Sequence, residues 1–329
     1  MDIFSLNSTN QQSLKQLPLT CNGHTRPIVY LFFSPITDDG FYLISASKDG
    51  KPMLRKGETG DWIGTFEGHK GAVWGVALNN NATRAATASA DFTAKLWNAK
   101  YGNEEYSFSH EHIVKSVDFS ADGKSLLTSS NDKTLRIFDL QNFSSSPQLF
   151  KGHEDLLKQA VFFDTDGNRI VSCSCDKTVR FWDKRAGQET SKLAFSEQPN
   201  GIEVSFGQKI LSICYGQNIA FYDLESLTKI KEFHAPSTIV NTSSLNPELN
   251  TFVCGGSDFL IYKCDFETLS IIDSYSGHFG AVHCLRYSPD GEIYASGSED
   301  GTLRLWQNTI GKTYGLWQYV GSDKTENEG

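Results

Sequence analysis

Nowhere does this 329-residue sequence hold eighteen uninterrupted apolar residues, so it offers no span for an ordinary transmembrane helix. Positive charge is in deficit, with 30 Lys and Arg against 39 Asp and Glu. The resulting formal net charge of −9 opposes nonspecific attraction to phosphate backbones, and direct nucleic-acid binding is not expected. Proline is scarce at 9 residues, and with 39% hydrophobic and 12% aromatic residues the composition excludes a low-complexity disordered chain. The seven cysteines are scattered, and only Cys173 and Cys175 lie close together. Neither the paired clusters of a zinc site nor the framework of a small disulfide-rich domain is present, so reduced, packed thiols are expected and no metal or cofactor. The opening "MDIFSLNSTNQQSLKQ" lacks both an apolar core and an arginine-rich amphipathic pattern, which reads as a soluble cytoplasmic protein without a cleaved signal.

What is present is a repeat. "SADFTAKLWN" from Ser89, "SNDKTLRIFD" from Ser130, "SCDKTVRFWD" from Ser174 and "SEDGTLRLWQ" from Ser298 are variants of one stretch. Aligned on the aromatic residue, the series runs Arg55, Trp97, Phe138, Trp182, Tyr222, Tyr262 and Trp306, at intervals of 40 to 44 residues. A Gly-His pair at His24, His69, His153 and His278 keeps the same phase. Within each unit, short β-prone runs alternate with Asn, Asp and Gly turns, which is hairpin grammar. Seven such four-stranded units predict an all-β, seven-bladed WD-repeat β-propeller, in which each blade buries its faces against its neighbours.

A ring needs its ends joined. The segment preceding each Gly-His reads as the outer strand of the previous blade, so residues 14 to 21 are expected to supply the outer strand of the seventh blade beside Trp306 and remove a free sheet edge. The predicted organisation is a flexible start over 1–13, the propeller over 14–307, a packed segment over 308–320 and a disordered acidic tail over 321–329.

Ser, His and Asp recurring together invite comparison with a nucleophilic triad. The set His69, Ser89, Asp91 and Trp97 recurs as His153, Ser174, Asp176 and Trp182, and as His278, Ser298, Asp300 and Trp306. The first repeat keeps His24, Ser47 and Asp49 with Arg55 in place of the aromatic, and the third keeps Asp132. An active site occupies one cleft, not several positions around a ring. The expected role is structural: the turn Asp accepts hydrogen bonds from turn amides and the preceding His, with Ser and Trp extending the chain. No catalytic residue is assigned. In the fifth repeat Gly216 stands where the Asp should be, and in the sixth Asp258 reads as displaced, so both blades are expected to be looser or held by apolar contacts.

Recognition then falls to positions free to differ. One residue of each inner strand should face the axial opening: Val29, Trp74, Lys115, Lys158, Asn241 and His283. The residue before each turn Asp also varies, as Lys48, Ala90, Asn131, Cys175 and Glu299. Trp74 and His283 are of types enriched in binding hot spots, and Lys48, Lys115 and Lys158 suit an acidic partner. Lys48, Lys51, Arg55 and Lys56 together suggest a basic docking edge on the first blade.

The stretches "LISASKDGKPMLRKGETGDWIGTFEGHKGAVWGVALN", "ADFTAKLWNA", "HEHIVKSVDFS" and "SPDGEIYASGSEDGTLRLWQNTIGKTYGLWQYV" closely resemble the serine-threonine kinase receptor-associated (Unr-interacting) protein family. That resemblance implies a noncatalytic scaffold associated with the survival-of-motor-neuron complex, which assembles spliceosomal small nuclear ribonucleoproteins in the cytoplasm. It implies as partners that complex's components, an Unr-type RNA-binding protein and transforming growth factor β receptors, with the nucleus as a second location. The β-propeller subunit of eukaryotic translation initiation factor three is also similar and supplies the alternative.

Overall fold

The computed structural model describes residues 16–309 except 206, 208, 237, 238 and 249. Seven four-stranded antiparallel sheets stand around an axis, the first six with their strands in chain order from the inside outward and the seventh with an outer strand from the start of the chain. In the second blade, Val73–Leu78 is innermost, followed by Arg84–Ser89, Thr93–Asn98 and the outer strand Glu104–Ser109. Turn chemistry sets the lengths. The side chain of the residue after Trp97, Phe138, Trp182 and Tyr222 caps the turn to the outer strand, as Asp183 does by accepting from the amides of Arg185 at 2.7 Å and Ala186 at 3.0 Å.

The ring is closed as the sequence predicts. Leu19–Cys21 forms the outer strand of the seventh blade, antiparallel to Leu303–Gln307, with Leu19 opposite Leu305 and Cys21 opposite Leu303. Gln16 adds a further tie, donating from Nε2 to the Gln307 carbonyl at 2.8 Å. Three residues of strand suffice because the seam is also packed: Cys21, Ile28, Leu31, Phe33, Leu43, Cys284, Leu303 and Leu305 form one apolar cluster joining the terminal strand to the first and last blades. The start, terminal segment and acidic tail expected over 1–13, 308–320 and 321–329 lie outside the described residues, apart from Asn308 and Thr309.

Similar clusters cement neighbouring blades, and the one joining the fifth and sixth is built on phenylalanine. Phe221 lies 5.2 Å from Phe252 and 5.1 Å from Phe266, and Phe233 lies 5.3 Å from Phe252. Apolar and aromatic contact holds these blades where a histidine network is missing.

The sixth blade corrects the alignment. Cys264 stands opposite Phe252 as Trp97 stands opposite Ala85, so Cys264 occupies the aromatic position and Tyr262 sits two residues early. Asp258 is therefore not displaced. It occupies the turn, followed by Phe259 at φ 70°, just as Asp91 is followed by Phe92 at φ 68°. Its carboxylate accepts from the Tyr262 hydroxyl at 2.7 Å. With Cys264 in the series, the flanking intervals become 42 residues each.

Candidate functional site

Four blades carry a buried polar network. His69 Nδ1 lies 2.8 Å from Asp91 Oδ2, and its Nε2 lies 2.6 Å from the Thr87 hydroxyl, which accepts from Trp97 Nε1 at 2.8 Å. Ser172 joins His153 to Trp182 in the same way, and Ser296 joins His278 to Trp306. In the first blade His24 meets Asp49 and Ser45. The hydroxyl that completes each network is thus two residues before the one expected. Ser47, Ser89, Ser174 and Ser298 instead donate to carbonyls of the preceding loop and accept from the amides of Asp49, Asp91, Asp176 and Asp300, so they brace the turn. Strand alternation explains the shift. Thr87 and Ser89 lie on the same face of their strand, and Thr87 is deep enough to meet the indole.

The aspartate needs a donor, so the histidine proton belongs on Nδ1 and Nε2 accepts from the hydroxyl. Burial raises the Asp176 carboxyl pKa, but hydrogen bonds from Thr178, His153 and the Glu154 amide outweigh it and hold the group at about 2. Asp300 is held at about 2 by the Phe279 and Thr302 amides, the Thr302 hydroxyl and His278, against the same desolvation. Burial lowers the pKa of His153 and His278, which keeps them neutral. The Gly of Gly-His follows from the same packing: a Cβ on Gly68 would lie 3.1 Å from the Trp97 ring, and one on Gly152 3.0 Å from that of Trp182.

Each network has the connectivity of a Ser-His-Asp triad. The oxygen that would attack, however, has no exposed surface in Thr87, Ser172 or Ser296, and an indole N–H already occupies one of its lone pairs. No substrate atom can approach it.

The third blade departs from this pattern. Asp132 pairs with Arg136 at 2.7 Å, while His110 turns to the Phe108 carbonyl and the Thr128 hydroxyl. Burial, with Arg136 nearby, pushes the His110 pKa down to about 4. The fifth blade replaces the Asp turn with a tight hairpin between Tyr215 and Asn218, with Gly216 at φ 50°.

The expected basic edge on the first blade does not exist as a patch. Arg55 is 3% exposed, because its strand turns it inward to the aromatic position. There it donates through Nη1 to the Gly60 carbonyl at 3.0 Å and through Nη2 to that of Asn22. Lys48 faces the axial opening and pairs with Glu299 at 3.2 Å, Lys51 pairs with Glu67 at 3.2 Å on the surface, and Lys56 is exposed at its strand end.

The axial residues do come together. Val29, Trp74, Lys115, Lys158, Asn241 and His283 line one cavity of about 310 Å³ at the mouth of the channel, with Asn200 of the fifth blade, which sequence reasoning missed. All seven inner strands carry a register irregularity against the second strand, and in each it skips this residue: between Ile28 and Tyr30, Val73 and Gly75, Val114 and Ser116, and onward to Val282 and Cys284. A β-bulge frees one residue from the ladder and re-aims its side chain. Here it puts two consecutive residues, such as Lys115 and Ser116, on the channel wall.

Lys115 lies with its ammonium 3.3 Å from the centre of the Trp74 ring. Burial, then repulsion from Lys158 and Lys48, pushes its pKa down to about 8. Lys158 donates to Asn200 at 3.1 Å, and His283 meets Glu299 at 2.5 Å. Farther along the axis Gln159 donates to the Tyr30 hydroxyl at 2.9 Å and Arg286 stacks against Tyr30, which narrows the channel.

Seven closed blades, a terminal strand completing the last of them and His-Asp-hydroxyl-Trp networks define a WD-repeat β-propeller. The WD domain, G-beta repeat family matches residues 60–98, 102–139, 144–183 and 269–307. Each window begins near one blade's outer strand and ends with the third strand of the next, and the unmatched blades are the first, fifth and sixth. The chain is 54% identical over 308 residues to the serine-threonine kinase receptor-associated proteins of Gallus gallus and Homo sapiens, covering 94% of this chain and 87% of each relative. It is 44% identical over 290 residues to that of Dictyostelium discoideum, covering 88% of this chain and 98% of the relative. This chain belongs to the serine-threonine kinase receptor-associated protein family. Eukaryotic translation initiation factor 3 subunit I of Caenorhabditis elegans is more distant, at 26% over 329 aligned positions.

Proposed function

We propose that this protein is a noncatalytic interaction scaffold of the survival-of-motor-neuron complex, acting in cytoplasmic assembly of spliceosomal small nuclear ribonucleoproteins, with the axial face as its contact surface. The observation that carries the scaffold reading is the contrast between two sets of positions. The polar networks repeat and their joining hydroxyls are sealed from solvent, whereas the seven bulge residues at the open mouth all belong to one structural position yet are of five residue types. Fixed positions build the ring, and the differing ones are available for recognition. Family membership supports the choice of partners, and the net charge of −9 favours reaching RNA through an Unr-type protein partner. Association with a receptor of the transforming growth factor β class accords with the relatives' name, and we place this protein in the cytoplasm with access to the nucleus.

The test is affinity purification from the source cytoplasm with mass spectrometry, beside a Trp74→Ala, Lys115→Ala variant of verified folding. Recovery of Sm proteins and survival-of-motor-neuron components, lost in the variant, is expected. Recovery of translation-initiation subunits in their place refutes this reading.

A further inference from the structure

The axial mouth has an excess of donors. Lys48, Lys115, Lys158 and His283 line it in a protein whose overall charge is negative, and among the described residues Glu299 is the one carboxylate that pairs with that cluster, through Lys48 and His283. Among the described residues no carboxylate pairs with Lys115, and its ammonium rests against the Trp74 ring. Trp74 Nε1 is buried and likewise finds no acceptor among the described residues. A desolvated ammonium and an indole N–H without acceptors form an arrangement short of one anion.

We propose that the mouth is a socket for an acidic side chain, Asp or Glu, presented by an extended segment of a partner protein, with Lys115 and Lys158 as its counter-charges. This deepens the axial-face reading above and rests on it. The donor set suits a carboxylate better than a phosphate. Among the described residues the one arginine lining the mouth, Arg286, is already engaged with Glu203 at 3.8 Å and with Tyr30, so none of them leaves a guanidinium fork free there to grip a doubly charged group.

The surroundings suit a peptide whose acid is flanked by apolar residues. Loops entering the inner strands and turns leaving the second strands emerge on the same face as the mouth. They expose Phe279, at 85%, with Phe92, Leu156, Ile239 and Phe259. Large apolar side chains around a small charged centre provide the anchors that a lone ion pair in water lacks.

The experiment is a degenerate decapeptide array in which one position is fixed in turn as Asp, Glu, Gln, phosphoserine or Leu, probed with the full chain and followed by fluorescence polarisation on the best peptide. Selection of Asp or Glu over Gln at one position is expected, with at least tenfold weaker binding for Lys115→Met and for Lys158→Met, retention in Lys115→Arg, and no change in Lys124→Ala on the opposite face. Melting curves establish that the variants are folded. Absence of acidic selection, preference for phosphoserine over Glu, or undiminished binding by both methionine variants overturns the proposal. An array that shows no acidic selection alongside successful co-purification of assembly components refutes the socket and leaves the scaffold reading intact. The reverse outcome refutes the scaffold's assignment and leaves the socket.

Discussion

Replacing Lys115 with methionine should make the folded protein more stable at neutral pH, an unusual result for loss of a residue with a binding role. The Lys115 ammonium is held at a pKa of about 8 in the folded chain against an ordinary 10.5, chiefly by desolvation. At about 1.4 kcal/mol per unit, keeping that charge buried at pH 7 costs about 3 kcal/mol. Methionine keeps the length of the side chain and a sulfur contact to the Trp74 ring while removing the charge, at the loss of a cation–π attraction of about 0.5–2 kcal/mol. The net expected gain is about 1–2 kcal/mol, read as a higher urea midpoint at pH 7 with an unchanged slope. The pH dependence identifies the cause. Because the folded pKa is the lower one, between about 8 and 10.5 the unfolded chain keeps a proton that the folded chain has released, so the parent gains stability with rising pH and approaches the variant near pH 10. Destabilisation of Lys115→Met at pH 7, or a gap constant from pH 7 to 10, refutes the argument.

The remaining predictions concern the ring. Thr87→Val removes the hydroxyl joining His69 and Trp97 and should cost about 2–3 kcal/mol, more than Ser89→Ala, as measured by denaturant unfolding. Asp91→Ala leaves His69 Nδ1 and the Lys70 and Thr93 amides without their acceptor and should cost about 2–4 kcal/mol, and an unchanged melt refutes the network's role. Asp176 and Asp300, held at about 2 against 3.8, contribute stability above pH 4 that is lost as pH falls toward 2. After allowance for solvent screening this amounts to about 1–2 kcal/mol per site, and Asp176→Asn with Asp300→Asn should flatten the acid limb of the stability curve. Native alkylation followed by mass spectrometry should modify Cys175 first, since the other six cysteines are buried.

Much of this was legible because a repeat is its own alignment. Period, turn residues and the phase of Gly-His fixed the number of blades and the closing strand, since four strands cannot bury two faces without neighbours and a ring cannot leave one outer position empty. The sixth blade misled because Tyr262 imitates the missing aromatic. The usable signal was Asp265, which caps its turn through the Thr268 amide at 2.7 Å as Asp183 caps its own, and so marks Cys264 as the residue in phase. Asn200 was missed because the fifth blade lacks both markers from which its inner strand could be counted.

Sequence alone thus determined the architecture, because hydrophobic alternation and turn chemistry act over a few residues and recur. Tertiary structure alone decided which hydroxyl meets each histidine, that Arg55 is buried rather than displayed, and that a bulge in every inner strand gathers Trp74, Lys115, Lys158 and His283 at one mouth. These outcomes depend on strand register and on contacts between blades some forty residues apart, and register is settled only when the sheets pack.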